Sequence, residues 1–222
     1  MLEILGETLP LAIGVAISPV PIIATILMLL SASAGRTGLG FLAGWVLGIT
    51  AALTAFILLS SLLGEAGTDG PRPIAGAVKL VIGLLLVLLA VRQWRSRPRP
   101  GDTPELPKWM SAVDTMTPLR AAGLGAALAA ANPKNLLLAA SAGLVIGAGS
   151  GAATIVGAAA CFVVIAGASV AFPVLAYLAA PARISGWLDA LKEWLVANNA
   201  TIMAVLLLVI GVAVLGKGLA SF

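Results

Sequence analysis

Residues 16–23 read AISPVPII and lie inside an apolar segment that is long enough to cross a membrane. The stretch contains two prolines, Pro19 and Pro21. A proline in a helix interior removes a backbone hydrogen bond and clashes with the preceding turn, which costs about 3 kcal/mol. In lipid no water replaces the lost bond, so irregular backbone is tolerated only where it packs on protein or lines a cavity. The stretch therefore predicts a broken first membrane helix.

The fourth apolar segment contains a similar interruption, AAANPKNLLLA at residues 129–139. With an offset of 114 residues the two interruptions align position by position: Ser18 with Asn132, Pro19 with Pro133, Val20 with Lys134, and Pro21 with Asn135. The third and sixth apolar segments also share the tripeptide VIG, at 81–83 and 209–211. The order of these features predicts an internal repeat. The alternative is a chance match, because prolines and glycines are common in membrane helices.

The composition is that of a membrane protein with several spans. Of the 222 residues 60% are hydrophobic and only 10% are charged, whereas about a quarter of the residues in a soluble domain are charged. The net charge of +4 is therefore no sign of a nucleic-acid partner. A span needs about 20 apolar residues. Six segments qualify: 9–32, 38–63, 73–94, 118–147, 152–179 and 197–219.

The predicted fold is an all-α polytopic membrane protein with six transmembrane helices, of which the first and the fourth are broken. The repeat divides the chain into a first three-helix half (1–95), a basic loop (96–117) and a second three-helix half (118–222). Since each half has an odd number of spans, the two halves must sit upside down relative to one another. This is the inverted repeat of secondary transporters, in which broken helices at matching positions mark the binding site.

The positions of Lys and Arg predict the orientation in the membrane. With the N-terminus outside, the cytoplasmic segments hold nine basic residues: Arg36, Arg92, Arg95, Arg97, Arg99, Lys108, Arg120, Arg183 and Lys192. The outside segments hold Arg72 and Lys217. We therefore expect a protein of the cytoplasmic membrane with both termini outside. The basic residues and the amphipathic segment 183–195 are expected to contact anionic lipids at the cytoplasmic face, unless that segment is a plain connector.

The two breaks predict a binding site near the middle of the membrane. Each should leave a half-helix that begins at about Ile22 or Leu136, and a helix N-terminus carries free N–H groups and a partial positive charge. Two such ends together favour an anion. Well inside the spans the only charged residues are Lys134 and Lys79, and a charged residue there indicates function. The candidate substrate-binding residues are Ser18, Pro19, Pro21, Asn132, Pro133, Lys134, Asn135 and Lys79.

Structural alternatives stay open for these side chains. Lys134 could pair with backbone carbonyls or a water instead of a substrate. Lys79, about six residues from the outer end of its span, could extend to the lipid headgroups. The asparagines could cap the broken helix ends.

The residues that are missing exclude several classes of function. There is no carboxylate in the middle of the spans to hold a metal cation or relay a proton, and no GxxxxGK[ST] motif for ATP. The absence of histidine and the single Cys161 argue against a catalytic or metal site. We expect a protein that is not an enzyme and has no cofactor.

These motifs resemble those of a known family. The stretch AISPVPIIATILMLL in the first span, ANPKNLLLA in the fourth, six spans and a basic central loop are similar to the GAP (Sap-like, glycolipid-addressing protein) family of the lysine-exporter (LysE) superfamily. Its members include actinobacterial proteins linked to moving glycolipids to the cell surface. The resemblance implies a transporter of a lipid or lipid-linked glycan, with Ser18–Pro21 and Asn132–Asn135 at its core.

Two other functions fit the same residues. One is an exporter of a small solute, such as an amino acid or an organic anion, as elsewhere in that superfamily. The other is a scaffold that recruits the machinery of envelope-lipid synthesis without transport. A homodimer is expected only by analogy with other small transporters.

Overall fold

The computed structural model describes residues 1–31, 33–62, 73–97, 113 and 115–221. The predicted basic loop, 96–117, lies mostly outside these residues, as do Arg72, Arg99 and Lys108. The described residues form α-helices and contain no strand, which confirms the all-α class. The helices are α1 (Leu2–Ala16), α2 (Pro19–Leu30), α3 (Ala34–Leu62), α4 (Pro73–Arg95), α5 (Pro118–Ala130), α6 (Pro133–Gly147), α7 (Ala152–Ala179) and α8 (Pro181–Leu219).

Both predicted helix breaks are present. Helices α1 and α2 meet at an angle of 49°, and α5 ends at Ala130, three residues before α6 begins at Pro133. The predicted starts at Ile22 and Leu136 are wrong by three residues, because α2 begins at Pro19 and α6 at Pro133. Proline fits the first position of a helix, where its missing N–H would have no partner and its fixed φ suits the turn.

Four of the described helices are long and apolar enough to cross a membrane, namely α3, α4, α7 and α8. The bent pair of α1 and α2 meets the same criteria as a fifth span. Helices α5 and α6 have 13 and 15 residues, and each is too short to span alone. The chain is thus a multi-pass membrane protein, and the number six stays a prediction.

The sixth predicted span begins earlier than expected. The amphipathic segment 183–195, which we expected to lie at the cytoplasmic face apart from the span, is helical and continues without interruption into the span as the 39-residue α8. No proline or glycine occurs between Trp187 and Val209, so nothing in the sequence stops the helix there. At 1.5 Å per residue α8 is about 58 Å long, roughly twice the thickness of the hydrocarbon core.

Small residues bring α3 and α5 into backbone contact. A Cβ added at Gly40 or Gly44 would collide with the carbonyl of Pro118 or Ala122, respectively. One turn later, a Cβ on Gly48 would lie 2.7 Å from the Ala126 carbonyl oxygen. Close approach through small residues is how membrane helices gain packing energy without a hydrophobic driving force.

The contacts sort the helix ends onto two faces of the bundle. On the N-terminal face, Glu7 of α1 forms an ion pair of 3.2 Å with Lys217 near the end of α8. On the opposite face, the start of α3 lies against the end of α2, since a Cβ added at Gly38 would lie 2.8 Å from the Leu29 side chain. The α1–α2 pair therefore runs from one face to the other.

Candidate functional site

The two helix breaks are joined by a buried lysine. Lys134 lies in the first turn of α6, and its residue is only 3% exposed. Its Nζ donates a hydrogen bond of 2.7 Å to the carbonyl oxygen of Gly14, in the last turn of α1. The charged side chain of the second break thus ends at the first break, 120 residues away in the sequence.

The carbonyl of Gly14 is one that the break in α1 leaves without a helical partner. In a continuous helix the N–H of residue 18 would donate to it. Here the Ser18 N–H donates instead to the Ala16 carbonyl oxygen, at 2.8 Å. Because a free carbonyl has no water partner in lipid, Lys134 satisfies a group that would otherwise destabilise the fold.

Asn135 plays the same part for the second break. Its Nδ2 donates to the carbonyl oxygen of Leu128 in α5, at 3.1 Å. At the 114-residue offset of the repeat, Leu128 corresponds to Gly14. Two adjacent side chains of α6 therefore satisfy the equivalent carbonyls of both breaks. The corresponding residues of the first break, Val20 and Pro21, have no side-chain donor.

The remaining predicted residues shape the helix ends. The Oδ1 of Asn132 accepts a 3.0 Å hydrogen bond from the Lys134 N–H, which is the capping role. Ser18 holds the same position before α2 and is buried, but its side chain makes no capping bond. Pro19 and Pro133 start α2 and α6, and the Pro21 carbonyl accepts from the Thr25 hydroxyl at 2.8 Å.

The backbone amides contribute less to an anion site than expected. The Ile22 N–H donates to the Ser18 carbonyl oxygen at 3.4 Å, and the Leu136 N–H donates to that of Asn132 at 2.9 Å. Pro19 and Pro21 have no N–H at all. The expectation of exposed amides at Ile22 and Leu136 is therefore wrong. The amides at the helix starts are those of Val20, Lys134 and Asn135, and the Lys134 N–H already donates to the Asn132 cap.

The side chains of Lys134 and Asn135 retain hydrogen-bonding capacity for a ligand. An ammonium group has three donors, and the bond to Gly14 uses one of them. In the part of the chain that the structure describes, no carboxylate forms an ion pair with Lys134. The Oδ1 of Asn135 is buried without a hydrogen-bond partner there. The arrangement can bind an anionic group through Lys134 and a hydroxyl or water through Asn135.

Lys79 lies elsewhere. It lines a cavity of about 30 Å³ towards the N-terminal face, together with Glu7, Ser141 and Lys217, and Lys134 is not part of that lining. Sequence analysis missed the roles of Gly14 and Leu128, although each stands four residues before a predicted helix interruption. It also missed Glu7 and Lys217, which no local pattern connects.

The described residues offer no resident metal site, since they contain no group of three or more His, Cys, Asp or Glu that could hold an ion. No curated protein and no solved structure matches the chain. A family model described as Sap, sulfolipid-1-addressing protein, matches residues 8–220, which is nearly the whole length. Membership of the lysine-exporter (LysE) superfamily stays a prediction. The resemblance to a Sap-like family is confirmed, and the chain belongs to the Sap, sulfolipid-1-addressing protein family.

Proposed function

We propose that this protein moves a lipid or lipid-linked glycan with an anionic headgroup across the cytoplasmic membrane. The observation that carries the proposal is Lys134, a buried lysine at the junction of two broken helices with no carboxylate paired to it among the described residues. A charge kept at this depth indicates a substrate path. The family description names a sulfolipid, and a sulfur oxyanion has the charge that such a site would attract.

An inverted two-fold repeat of six spans is part of the proposal. The VIG tripeptides support it, because their glycines meet where α4 and α8 cross. A Cβ added at Gly83 would lie 3.0 Å from the Gly211 carbonyl oxygen, and one at Gly211 would lie 3.1 Å from that of Gly83. Such reciprocity is expected for equivalent residues beside a two-fold axis.

The packing of the helices supports the same relationship. In the repeat α1 corresponds to α5, α2 to α6, α3 to α7 and α4 to α8. The contact of α1 with α7 is then equivalent to that of α5 with α3, and the contact of α2 with α8 is equivalent to that of α6 with α4. Pro118 at the start of α5 lies at the opposite face, whereas Gly147 at the end of α6 lies against Ser60 at the end of α3. In the proposal α5 and α6 together form the fourth span, as α1 and α2 form the first.

In the proposed mechanism the headgroup binds to the free donors of Lys134 while the acyl chains stay in the lipid. Gly14 and the Asn132 cap hold the lysine in place, so that little side-chain entropy is lost on binding. A sugar hydroxyl or a water donates to the Asn135 Oδ1. No bond is broken in this process, and the protein would act as a transporter and not as an enzyme.

The opposite face of the bundle is the cytoplasmic one in this proposal, with both termini outside. Arg92 and Arg95 lie in the last turn of α4, and the Arg97 guanidinium lies 3.9 Å from the ring centre of the half-exposed Trp94. Arginines beside an interfacial tryptophan suit anionic headgroups. A homodimer and a contact with envelope-lipid synthesis enzymes at this face belong to the proposal as further partners.

An exporter of a small organic anion is the second candidate. It is favoured by the enclosure of Lys134, whose residue is 3% exposed, since a soluble substrate needs no opening towards the lipid. The bond to Gly14 and the Asn135 Oδ1, which has no partner among the described residues, would serve such a substrate equally well.

The experiment that tests the proposal compares the lipids that copurify with variants in mild detergent, identified by mass spectrometry. Lys134→Gln removes the charge but keeps a donor for the Gly14 carbonyl, so the fold should persist. We expect the wild type to retain an anionic lipid and Lys134→Gln to retain at least tenfold less of that lipid. Lys192→Gln, at a partly exposed lysine that pairs with Asp189 on α8, is the matched control and should retain it. Equal retention by all three proteins, with protection against unfolding by a soluble anion, would reject the lipid in favour of the small solute.

A further inference from the structure

A second charged cluster lies on the same helices as Lys134, nearer the N-terminal face. Two ammonium groups, from Lys79 and Lys217, and one carboxylate, from Glu7, line the cavity between α1, α4, α6 and α8. Glu7 pairs with Lys217 at 3.2 Å. Lys79 has no ion pair within the described part of the chain, so the cluster keeps one uncompensated positive charge.

The cavity is close to the Lys134 site and separated from it by apolar side chains. Ile210 lines the cavity and also lies against Gly14, where an added Cβ would meet its Cδ1. Leu138 also lies against Gly14, with its Cδ1 3.1 Å from that Cβ position. The Ile210 side chain thus lies between the cavity and Gly14, whose carbonyl holds Lys134.

The two sites also share helix faces. Ser141 in the cavity follows Lys134 by seven residues on α6, and Glu7 precedes Gly14 by seven residues on α1. Seven residues are two helical turns, or about 10 Å. A group that left Lys134 along α1 and α6 towards the N-terminal face would therefore reach the cavity next.

We propose that this cavity is a second anion-binding site, in which a sulfate or phosphate group of the substrate binds between Lys79 and Lys217 and displaces the Glu7 carboxylate. The inference rests on the proposed transport function. The cavity is small, at about 30 Å³, and Glu7 already pairs with Lys217, so an anion that binds between the two ammonium groups competes with the carboxylate. In the empty protein Glu7 then occupies the position of the substrate charge and keeps α1 and α8 together.

The test measures the charge selectivity of the cavity through the reactivity of a single thiol. Ala213, which lines the cavity, is replaced by cysteine in a Cys161→Ser background. The purified protein is treated with an anionic and a cationic methanethiosulfonate reagent of similar size. We expect the anionic reagent to react faster. A cysteine at the exposed Ser96, at the opposite face of the bundle and outside the lining, is the control for position.

Variants that remove one charge from the cluster should change the ratio of anionic to cationic reaction rates in opposite directions. Lys79→Gln removes the uncompensated charge and should lower the ratio of anionic to cationic reaction rates, by about tenfold for a unit charge about 6 Å away in water. Glu7→Gln should raise it, and neither change should alter the ratio at Ser96→Cys, which lies at the opposite face of the bundle. If Lys79→Gln fails to fold, Lys217→Gln replaces it. A ratio at Ala213→Cys that does not respond to these changes would overturn the proposal.

Protection of the Ala213→Cys thiol from modification distinguishes a lipid headgroup from a free oxyanion as the source of the anion. Dihexanoyl phosphatidylglycerol that slows the modification where inorganic sulfate at the same concentration does not indicates a lipid headgroup. Protection by sulfate as well indicates a site for free oxyanions, and protection by neither refutes the site. Because the thiol readout does not need Lys134, equal lipid retention by the wild type and Lys134→Gln with intact charge selectivity rejects the transport proposal alone. Loss of lipid in Lys134→Gln without charge selectivity at Ala213→Cys rejects only the second site.

Discussion

The Nζ of Lys134 lies 2.7 Å from the carbonyl oxygen of Gly14 and thereby connects the start of one half-helix with the end of another, in the other half of the chain. The neighbouring residue, Asn135, makes the equivalent bond to Leu128 within its own half. Among the described residues, no side chain of the first break donates to either carbonyl, and the second break supplies the donors for both. The asymmetry explains how an apolar stretch such as AISPVPII can be interrupted inside a membrane.

The first prediction concerns the stability of this junction. Lys134→Met leaves the Gly14 carbonyl buried without a partner, and an unsatisfied buried group costs about 1–3 kcal/mol. We expect a lower midpoint of thermal unfolding in detergent for Lys134→Met. Lys134→Gln should recover part of the loss, because its amide can donate. Equal midpoints for Lys134→Met and the wild type would show that the bond does not stabilise the fold.

A second prediction separates the two asparagines by their roles. Asn135→Asp removes the donor to Leu128 and should destabilise the protein by about 1–3 kcal/mol. Asn132→Asp keeps an oxygen that can accept from the Lys134 N–H, and aspartate is as good a capping residue as asparagine. We therefore expect Asn132→Asp to be tolerated. Chemical denaturation of the two variants side by side measures the difference, and similar losses for both would contradict the assignment of donor and cap.

The sequence predicted the elements of this site better than their connections. Pro19 and Pro133 revealed the interruptions because proline has a fixed local effect. The partner of Lys134 lies 120 residues away, and a choice among many carbonyls depends on how the helices pack. Lys79 was assigned to the same site as Lys134 because both are charged and lie in spans. Its position beside Glu7 and Lys217 follows from the crossing of α4 and α8, which only a three-dimensional structure shows.

The close packing of α3 on α5 gives a third prediction. Gly44→Ala places a methyl group against the Ala122 carbonyl, and backbone cannot move aside as a flexible side chain can. We expect Gly44→Ala to lower the yield of monodisperse protein in size-exclusion chromatography severalfold. Gly123→Ala, on α5 with nothing within 4 Å of the added Cβ, is the control and should behave like the wild type. Normal yield for Gly44→Ala would mean that the two helices lie further apart.

A fourth prediction tests the reciprocal contact of the VIG glycines. Gly83→Ala and Gly211→Ala should each destabilise the crossing of α4 and α8 by a similar amount, since each methyl group meets the backbone of the other helix. A single outward shift of α8 relieves both contacts. The double variant should therefore be less destabilised than the sum of the two, which a double-mutant cycle measures. Additive losses would place the glycines in separate environments and remove this support for a two-fold repeat.

The last prediction concerns orientation, and it uses one exposed residue from each face in a Cys161→Ser background. Ser150 lies in the turn between α6 and α7 at the N-terminal face, and Ser96 follows α4 at the opposite face. Arg92 and Arg95 beside Ser96 should hold that face in the cytoplasm, as the distribution of basic residues requires. In intact cells an impermeant maleimide should label Ser150→Cys and leave Ser96→Cys unlabelled until the membrane is opened. The reverse pattern would invert the topology, and labelling of both in intact cells would contradict the assignment of the two residues to opposite faces.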